Sequence, residues 1–505
     1  CWSNAPVCAP ARTTIISGLY PTSTGAEHMR SLVSLPREMQ MFTALLRALG
    51  YYCSNRVKED YNLRKEGKVW DDSSNKAHYR NRPAGMPFFA VFNSTKSHES
   101  QLRGYKLPTI TDPAKVRVPA YHPDVPEVRN DWARYYDIVS LADGDAGVLL
   151  RELEELGLLE DTIIFYFADH GSGMPRCKRT PLNSGLQVPM IVYFPENWKH
   201  LAPPEYRAGA VSDRLISFVD LAPTMLSLAG EPAPKWMQGR AFAGKHIQPA
   251  AEFLHGFRGR MDERYDLQRS VTDGRNVYLR NYMPHLPAGQ HVEYMFVTKT
   301  TRVWKDLFDA GKLNEAQSQF WKAPRLTEEL YDLQNDPDEV KNLASPTDRE
   351  VLDRLRRAHL VQIATIRDIG FLPEGEIHTR SAASSPYAMK QYPLARILDT
   401  ASFASLWEIG ASRELGEALK DEDSSVRYWA AIGFLSRGLP RDVNLIERMY
   451  GVMNHDKSPS VRIVAAETFA RGGKNEPDTP LQTLLELAQP KGNSVYIRLA
   501  ALNAL

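Results

Sequence analysis

Short apolar runs alternate with amphipathic stretches through the first half of the chain. Residues 162–167 are continuously apolar, β-branched or aromatic after the first threonine, which predicts a strand buried on both faces of a parallel sheet. Residues 41–49 and 131–156 carry apolar side chains at helical spacing, which predicts two amphipathic helices. This alternation predicts an α/β sandwich around a mostly parallel sheet over residues 1–245.

The pattern changes after residue 245. From 246 to 375 the apolar runs are shorter and polar turns separate them, with 276–280 as one strand. This pattern predicts a small antiparallel subdomain packed against the first domain. Residues 376–390 are mostly small and polar, which is typical of a linker.

The last part of the chain, 391–505, favours helices and contains a repeated motif. Val426, Val461 and Val495 each follow a serine and precede a pair of alanines, with spacings of 35 and then 34 residues. A period of this size is typical of helical solenoids. The segment resembles short HEAT-type repeats, which form an all-α solenoid in which small alanines let neighbouring helices stack. Such a surface could dock a protein partner. The alternative is three ordinary amphipathic helices with shared residues.

Length and charge exclude some functional classes. At 505 residues the chain is too long for one hydrophobic core and predicts two or three domains. Its 62 Lys and Arg residues balance 61 Asp and Glu residues, so no nucleic-acid-binding surface extends over the whole chain. No apolar run approaches the roughly 18 residues that a membrane-spanning helix needs.

The first candidate for chemistry lies near the start of the chain. Residues 8–12 read Cys-Ala-Pro-Ala-Arg, and Ser-Gly follows at 17–18. A small buried thiol beside a proline turn is the ordinary alternative. The motif resembles the Cys-x-Pro-x-Arg pattern at which sulfatases convert a cysteine into formylglycine.

A second candidate site follows the strand predicted at 162–167. Asp169 and His170 lie just beyond this strand and precede a glycine. In open α/β sheets, ligand-binding groups gather beyond the carboxyl ends of strands. The pair therefore suits a divalent cation, although Asp169 could instead only cap the following turn.

Three further segments extend the resemblance to sulfatases. Lys178 precedes a Val-Pro pair at 188–189 by the interval that sulfatases show, and a strand-like run at 87–93 is followed by His98. Residues 329–339 resemble the strand and acidic turn near the end of the family's C-terminal subdomain. The chain is thus identified as similar to the formylglycine-dependent sulfatases of the alkaline-phosphatase-like superfamily.

The resemblance implies roles for five residues. Cys8, as hydrated formylglycine, would attack the sulfur of a sulfate ester, and Arg12, four positions later, would orient it. Lys178 and Lys58 would bind sulfate oxygens. His98 would protonate the leaving alcohol, a role that suits an imidazole near neutral pH.

The same resemblance implies a metal site. Cys8, Asp169 and His170 would hold a divalent cation, most naturally Ca²⁺, with Mg²⁺ or Mn²⁺ open. We expect the chain to continue beyond both ends. The upstream part would supply a strand with two further aspartate ligands and any signal peptide, and the protein would be periplasmic or extracellular.

Two details depart from the family pattern or extend it. A sulfatase Lys-Trp-His triplet would place histidine where this chain has Asp60. His28 and Arg30 could contact the substrate in the same pocket.

If Cys8 is modified, Cys53 and Cys177 are the one pair that could form a disulfide.

The leading hypothesis is a sulfuric ester hydrolase that acts on a sulfated sugar or glycan after a formylglycine-generating enzyme has modified it. The alternatives are a phosphonate or phosphate ester hydrolase of the same superfamily, and a non-catalytic binding protein with a sulfatase-like fold.

Overall fold

The computed structural model describes residues 1–104, 108–345, 349–389, 391–406, 411–472 and 478–505. The strands within these ranges are β1 (Tyr52–Arg56), β2 (Asp72–Ser73), β3 (Phe88–Phe92), β4 (Ile164–Phe167), β5 (Met190–Tyr193), β6 (Leu254–Arg258), β7 (Gln268–Thr272), β8 (Asn276–Asn281) and β9 (Glu328–Asp332). They form three separate sheets.

Helices occur throughout the described residues. Those that accompany the sheets are α1 (Cys8–Ser17), α2 (Pro21–Thr24), α3 (Phe42–Ala48), α4 (Gln101–Gly104), α5 (Pro126–Glu155), α6 (Asn183–Leu186), α7 (Leu221–Leu228), α8 (Glu293–Phe296), α9 (Lys299–Asp309), α10 (Glu315–Ser318) and α11 (Arg349–Ile366). Those of the last part are α12 (Glu374–Arg380), α13 (Leu394–Ser405), α14 (Ala411–Ala418), α15 (Ser424–Arg437), α16 (Val443–His455), α17 (Pro459–Gly472), α18 (Asp478–Ala488) and α19 (Val495–Ala504).

The first sheet is parallel, in the order β2-β1-β3, as the sequence predicts. Cys53 of β1 lies opposite Phe89 of β3. Helix α5 begins five residues earlier than the apolar spacing indicates, because Pro126 suits the first turn of a helix. It ends before Gly157, which has the left-handed backbone (φ 65°) that stops helices.

The strand at 162–167 departs from the prediction. It is shorter, it is half-buried, and it pairs with β5 in the antiparallel sense, with Phe165 opposite Val192. The cause is local: the Gly171 amide donates to the Gly185 carbonyl at 2.9 Å. Gly171 follows the C-terminal end of β4 and Gly185 precedes β5, so this bond holds the start of β5 beside the C-terminal end of β4. Strand β5 therefore runs antiparallel to β4.

Strands β3 and β4 and helix α5 line a cleft of about 1760 Å³. Most of its wall is apolar and comes from the half-exposed faces of these three elements. The cleft reaches the chemically active residues that follow the strands, including His98 and Asp169.

The predicted antiparallel sheet is present after residue 245, in the order β6-β7-β8-β9. Val277 of β8 lies opposite Tyr331 of β9, and α11 packs against β7 and β8. The domain boundaries at 245, 375 and 390 stay predictions.

The C-terminal part is helical. The three repeated motifs lie at the starts of α15, α17 and α19, and α13, α15, α17 and α19 pack successively on one another. The HEAT class of these helices stays a prediction. The interval 376–390 contains most of α12, whose Ile377 is buried, and residue 390 lies outside the described residues. None of the helices in the described ranges is long and apolar enough to cross a membrane.

Candidate active site around Cys8

Helix α1 places Cys8 and Arg12 on one face. The helix begins at Cys8, after Val7 with extended backbone, and Cys8 is 3% exposed. Residues four apart lie one above the other on a helix, so Arg12 shares the face of Cys8. This face is directed at the carboxyl end of β4, because Arg12 Nε donates to Asp169 Oδ2 at 2.9 Å.

His170 lies directly beside the Cys8 thiol. Its Nε2 is 3.3 Å from Cys8 Sγ, and its Nδ1 is 2.7 Å from the Gly171 carbonyl. Because a carbonyl only accepts hydrogen bonds, Nδ1 carries the proton and the lone pair of Nε2 is directed at Cys8. A backbone carbonyl that fixes the tautomer in this way is common for metal-binding histidines.

Cys8, Asp169 and His170 together offer three possible metal ligands. The ligand atoms lie within 4.8 Å of one another. One carboxylate and one imidazole suit a divalent cation, but Ca²⁺ takes about six to eight oxygen ligands. The described residues therefore fit a part of such a site.

Arg12 and Lys58 both pair with Asp169. Arg12 Nη1 donates to the Lys58 carbonyl at 3.1 Å and to Asn93 Oδ1 at 2.8 Å. The sequence predicts that Arg12 orients the nucleophile, whereas its hydrogen bonds hold Asp169 and the loop that carries Lys58. Lys58 Nζ is 3.6 Å from Asp169 Oδ2. Burial favours the neutral acid, but the adjacent imidazole of His170 and the charges of Arg12 and the two lysines outweigh it and lower the pKa of Asp169.

Lys178 and His98 complete the group around Cys8. Lys178 Nζ lies 4.0 Å from Cys8 Sγ and 3.5 Å from His98 Nε2. Burial and Asp169 oppose ionisation of the thiol, yet the charge of Lys178 and the contact with His170 outweigh both, and the pKa of Cys8 is well below its ordinary value. The structure thus brings together the seven residues to which the resemblance assigns a catalytic, sulfate-binding or metal-binding role.

Glu99 is part of this site, and the sequence analysis missed it. Its buried carboxylate accepts from Lys178 Nζ at 2.8 Å and from two nitrogens of Arg179 at 3.1 Å each. Arg179 also donates to Asp262 at 2.7 Å. A Cβ on Gly173 would come within 2.9 Å of the Glu99 backbone, so only glycine permits this packing. Burial raises the pKa of Glu99, but Arg179 and Lys178 outweigh it and lower the pKa to about 2.

His28 and Arg30, the two residues after Gly25 that we predict as substrate contacts, differ in their exposure to solvent. His28 is completely buried, and its Nδ1 accepts from the Arg260 amide at 3.0 Å. Burial lowers the pKa of His28 to about 4, so it is a neutral structural side chain and cannot contact substrate. The Arg30 side chain, in contrast, is 67% exposed.

The proposed disulfide is wrong. Cys53 and Cys177 are both buried free thiols. Cys53 packs in the cluster around Phe42, whereas Cys177 packs in the cluster around Trp132 and lies 3.3 Å from the Tyr121 hydroxyl.

A buried nucleophilic side chain beside two lysines, with a carboxylate and an imidazole at the end of a strand, is typical of hydrolases of anionic esters. The family model described as Sulfatase matches residues 52–231. An ulvan-active sulfatase of Formosa agariphila is 36% identical over 425 residues, which cover 74% of this chain and 70% of that protein. The chain therefore belongs to the sulfatase family.

Two other comparisons agree with this assignment. Human N-sulphoglucosamine sulphohydrolase is 28% identical over 268 residues, covering 49% of this chain and 51% of the human protein. The structure of a phosphonate monoester hydrolase from Silicibacter pomeroyi has a TM-score of 0.52 at 16% identity, covering 74% of this chain and 88% of that chain. This last likeness concerns the fold alone.

Proposed function

We propose that this sulfatase removes sulfate from a sulfated carbohydrate, with Cys8 as the precursor of a formylglycine nucleophile. The observation that carries the proposal is the position of Cys8, with His170 Nε2 at 3.3 Å and Lys178 Nζ at 4.0 Å. The names of the relatives, an ulvan-active sulfatase and an N-sulphoglucosamine sulphohydrolase, support the substrate class.

Cys8 would supply the nucleophile that attacks the sulfate ester. Conversion of its thiol to formylglycine would supply a hydrated aldehyde, one hydroxyl of which attacks sulfur. The side chain is almost completely buried at the start of α1, so bulk water is excluded and nearby charges act in a medium of low dielectric constant.

The lysines and Arg12 balance negative charge. Lys178 would bind a sulfate oxygen, since its Nζ lies 4.0 Å from Cys8 Sγ. Glu99 fixes its position by accepting from Nζ at 2.8 Å. Lys58 would supply a second positive charge. The hydrogen bond from Arg12 to the Lys58 carbonyl holds its loop in place. Fixed charges directed at the transferred group stabilise the charge that develops in the transition state.

His98 is the proposed proton donor to the leaving sugar oxygen. Its Nδ1 lies 2.9 Å from Ser100 Oγ and 3.3 Å from the Ser100 amide, which donates to it. Nε2 is thus the nitrogen that carries the proton, and it lies 3.5 Å from Lys178 Nζ. A protonated Nε2 can deliver its proton as the S–O bond breaks.

Asp169 and His170 would hold a divalent cation. The Nε2 lone pair of His170 and the ionised Asp169 fit that role, and Ca²⁺, Mg²⁺ and Mn²⁺ are all compatible with these donors. When bound, such an ion would neutralise charge on the sulfate oxygens and on the nucleophile. Arg12 keeps Asp169 directed toward Cys8.

Modification of Cys8 is the direct test of this proposal. We expect that co-expression with a formylglycine-generating enzyme gives a peptide ending at Arg12 in which the thiol has become an aldehyde. The modified protein should hydrolyse an aryl sulfate faster than the matching aryl phosphonate. A faster reaction with the phosphonate would instead indicate a phosphonate hydrolase. If the protein is inactive and the Cys8 thiol stays unmodified, the hypothesis of a non-catalytic binding protein is favoured.

Replacing His98 with asparagine should affect substrates according to their leaving groups. Hydrolysis of a sugar sulfate needs a proton donor, so its kcat should fall by about 10²- to 10⁴-fold. Hydrolysis of 4-nitrophenyl sulfate should fall by about tenfold or less, since that phenolate leaves unprotonated. His246→Asn is the matched control, because His246 is exposed and its ring Nε2 lies 3.1 Å from the Gly230 carbonyl, outside the group around Cys8. Equal losses on both substrates would contradict the role.

A further inference from the structure

We propose that a group of side chains where the catalytic part meets the helical part binds a second acidic group of the substrate. This inference rests on the proposed function and deepens it. The group, called the rim cluster, consists of Arg30, Arg64, His378 and Tyr496. Its ligand is the carboxylate or second sulfate of the sugar unit next to the one that loses sulfate.

Arg30 is built as a binding residue. Its backbone is left-handed (φ 62°), a conformation that is unfavourable for L-residues and persists where the surroundings impose it. Its guanidinium makes one loose ion pair, Nε to Asp60 Oδ1 at 3.8 Å, and is 67% exposed. Asp60 is left-handed too (φ 53°). This pair directs the guanidinium and leaves most of its donors available to an anion.

Asn62 fixes the position of Arg30 relative to the nucleophile. The Asn62 side chain is completely buried and accepts from the Arg30 amide at 2.7 Å. It also donates to the Ala26 carbonyl, and its own amide donates to Thr13 Oγ1 on α1 at 2.8 Å. Because α1 carries Cys8, the Arg30 turn and the nucleophile belong to one rigid unit.

The loop that begins at Lys58 joins the rim cluster to the active site. Lys58 is 3.6 Å from Asp169, and Asp60, two residues later, pairs with Arg30. Arg64 lies further along the same segment, is exposed, and its amide donates to the Val33 carbonyl at 2.8 Å. Both arginines are therefore exposed and lie on, or pair with, the segment that begins at Lys58.

The helical part supplies the remaining members. His378 Nε2 lies 2.6 Å from the Ser31 hydroxyl, next to Arg30. The Tyr496 ring stacks on His378 with a centroid distance of 3.9 Å and an interplanar angle of 2°. Burial, Arg260 and Arg64 lower the pKa of His378 against the opposing charge of Glu374. A neutral imidazole stacked on a half-exposed tyrosine gives an amphipathic platform of the kind that sugars contact.

The chemistry of the rim cluster selects an anionic sugar unit. Arginine binds planar carboxylates and sulfates through paired N–H donors, and such charge-assisted bonds are the strong ones. A neutral neighbouring sugar would form no such charge-assisted bond. The substrate class is thus a sulfated oligosaccharide with a second acidic group.

The test measures binding and turnover separately. Binding is measured by calorimetry with Cys8→Ala protein and sulfated disaccharides whose neighbouring unit is neutral, carries a carboxylate, or carries a sulfate. We expect Arg30→Gln to weaken binding of the two acidic ligands by about tenfold or more relative to the neutral ligand. Tyr496→Ala should weaken all three, and its melting temperature shows whether the helices remain folded.

Arg80→Gln is the matched control. Arg80 is also exposed and paired with one carboxylate, Glu152, but it lies outside the rim cluster. Equal effects of Arg30→Gln on acidic and neutral ligands would overturn the inference, as would equal effects of the two arginine substitutions. The carboxylate and sulfate ligands identify which acid is bound. Failure of the proposed function is recognised independently, as absence of turnover in wild-type protein with verified formylglycine.

Discussion

Replacing Cys8 with alanine is expected to abolish sulfatase activity, with kcat reduced by about 10⁴-fold or more, the order seen when a covalent nucleophile is removed. The residue lies within reach of His170, Lys178 and Asp169, and none of the three can replace it as a nucleophile toward sulfur. Turnover of a sulfated disaccharide, measured on protein with verified modification of the wild-type thiol, gives the comparison.

Two measurements make this result specific. Cys53→Ala is the matched control, since Cys53 is a buried free thiol in the core beside Phe42, away from the site, and activity should persist. The Cys8→Ala protein should also still bind the sulfated disaccharide, because Lys178, Lys58 and His98 remain. Undiminished turnover in Cys8→Ala would exclude the formylglycine route. Lost binding would show that Cys8 supports the fold of the site.

Much of the fold could be predicted because the signals are local. Apolar runs and helical spacing depend on neighbouring residues, and they identified β3, β8 and α3 to within one residue and α5 to within five. The direction of β4 pairing could not be predicted in this way. It depends on the bond between Gly171 and Gly185, and such a contact has no periodic signal.

The candidate site could also be predicted only in part. The resemblance to sulfatases implied that Cys8, Asp169 and Lys178 share one site, and the structure brings their side chains together. Their pairings were not predictable. Arg12 bonds to Asp169 and not to the nucleophile, because the strand end lies closer to its guanidinium. One feature of the sequence could have identified Glu99. It is an acidic residue directly after His98, and the adjacent cations Lys178 and Arg179 need a negatively charged partner if they are buried in the site.

Glu99 also explains how two cations stay side by side in a buried site. Lys178 and Arg179 are 3% and 4% exposed, so each would be costly without a carboxylate. Glu99 pairs with both, and Asp262 takes the remaining side of Arg179. The carboxylate thereby sets the position of Lys178 relative to Cys8. Glu99 touches neither substrate nor nucleophile, so it is a positioning residue.

Glu99→Gln is therefore expected to lower both stability and activity. Removing one partner of a buried charge cluster costs about 3–5 kcal/mol of unfolding free energy. The loss should depend on pH. Because the pKa of Glu99 is lowered to about 2, its contribution is present above its ordinary pKa and disappears as the pH falls toward 2. The difference in melting temperature between wild type and variant should shrink from pH 7 to pH 3.

The loss of activity should depend on Lys178. In folded Glu99→Gln protein we expect kcat/KM to fall by about 10- to 100-fold, since a misplaced charge no longer meets the sulfate. In a Lys178→Ala background the same substitution should cost little more, because residues that act as a unit are not additive. Asp368→Asn removes another buried carboxylate, which pairs with Arg269, and its effect on activity should be small and additive. Additive losses for Glu99→Gln would show that Glu99 only stabilises the fold.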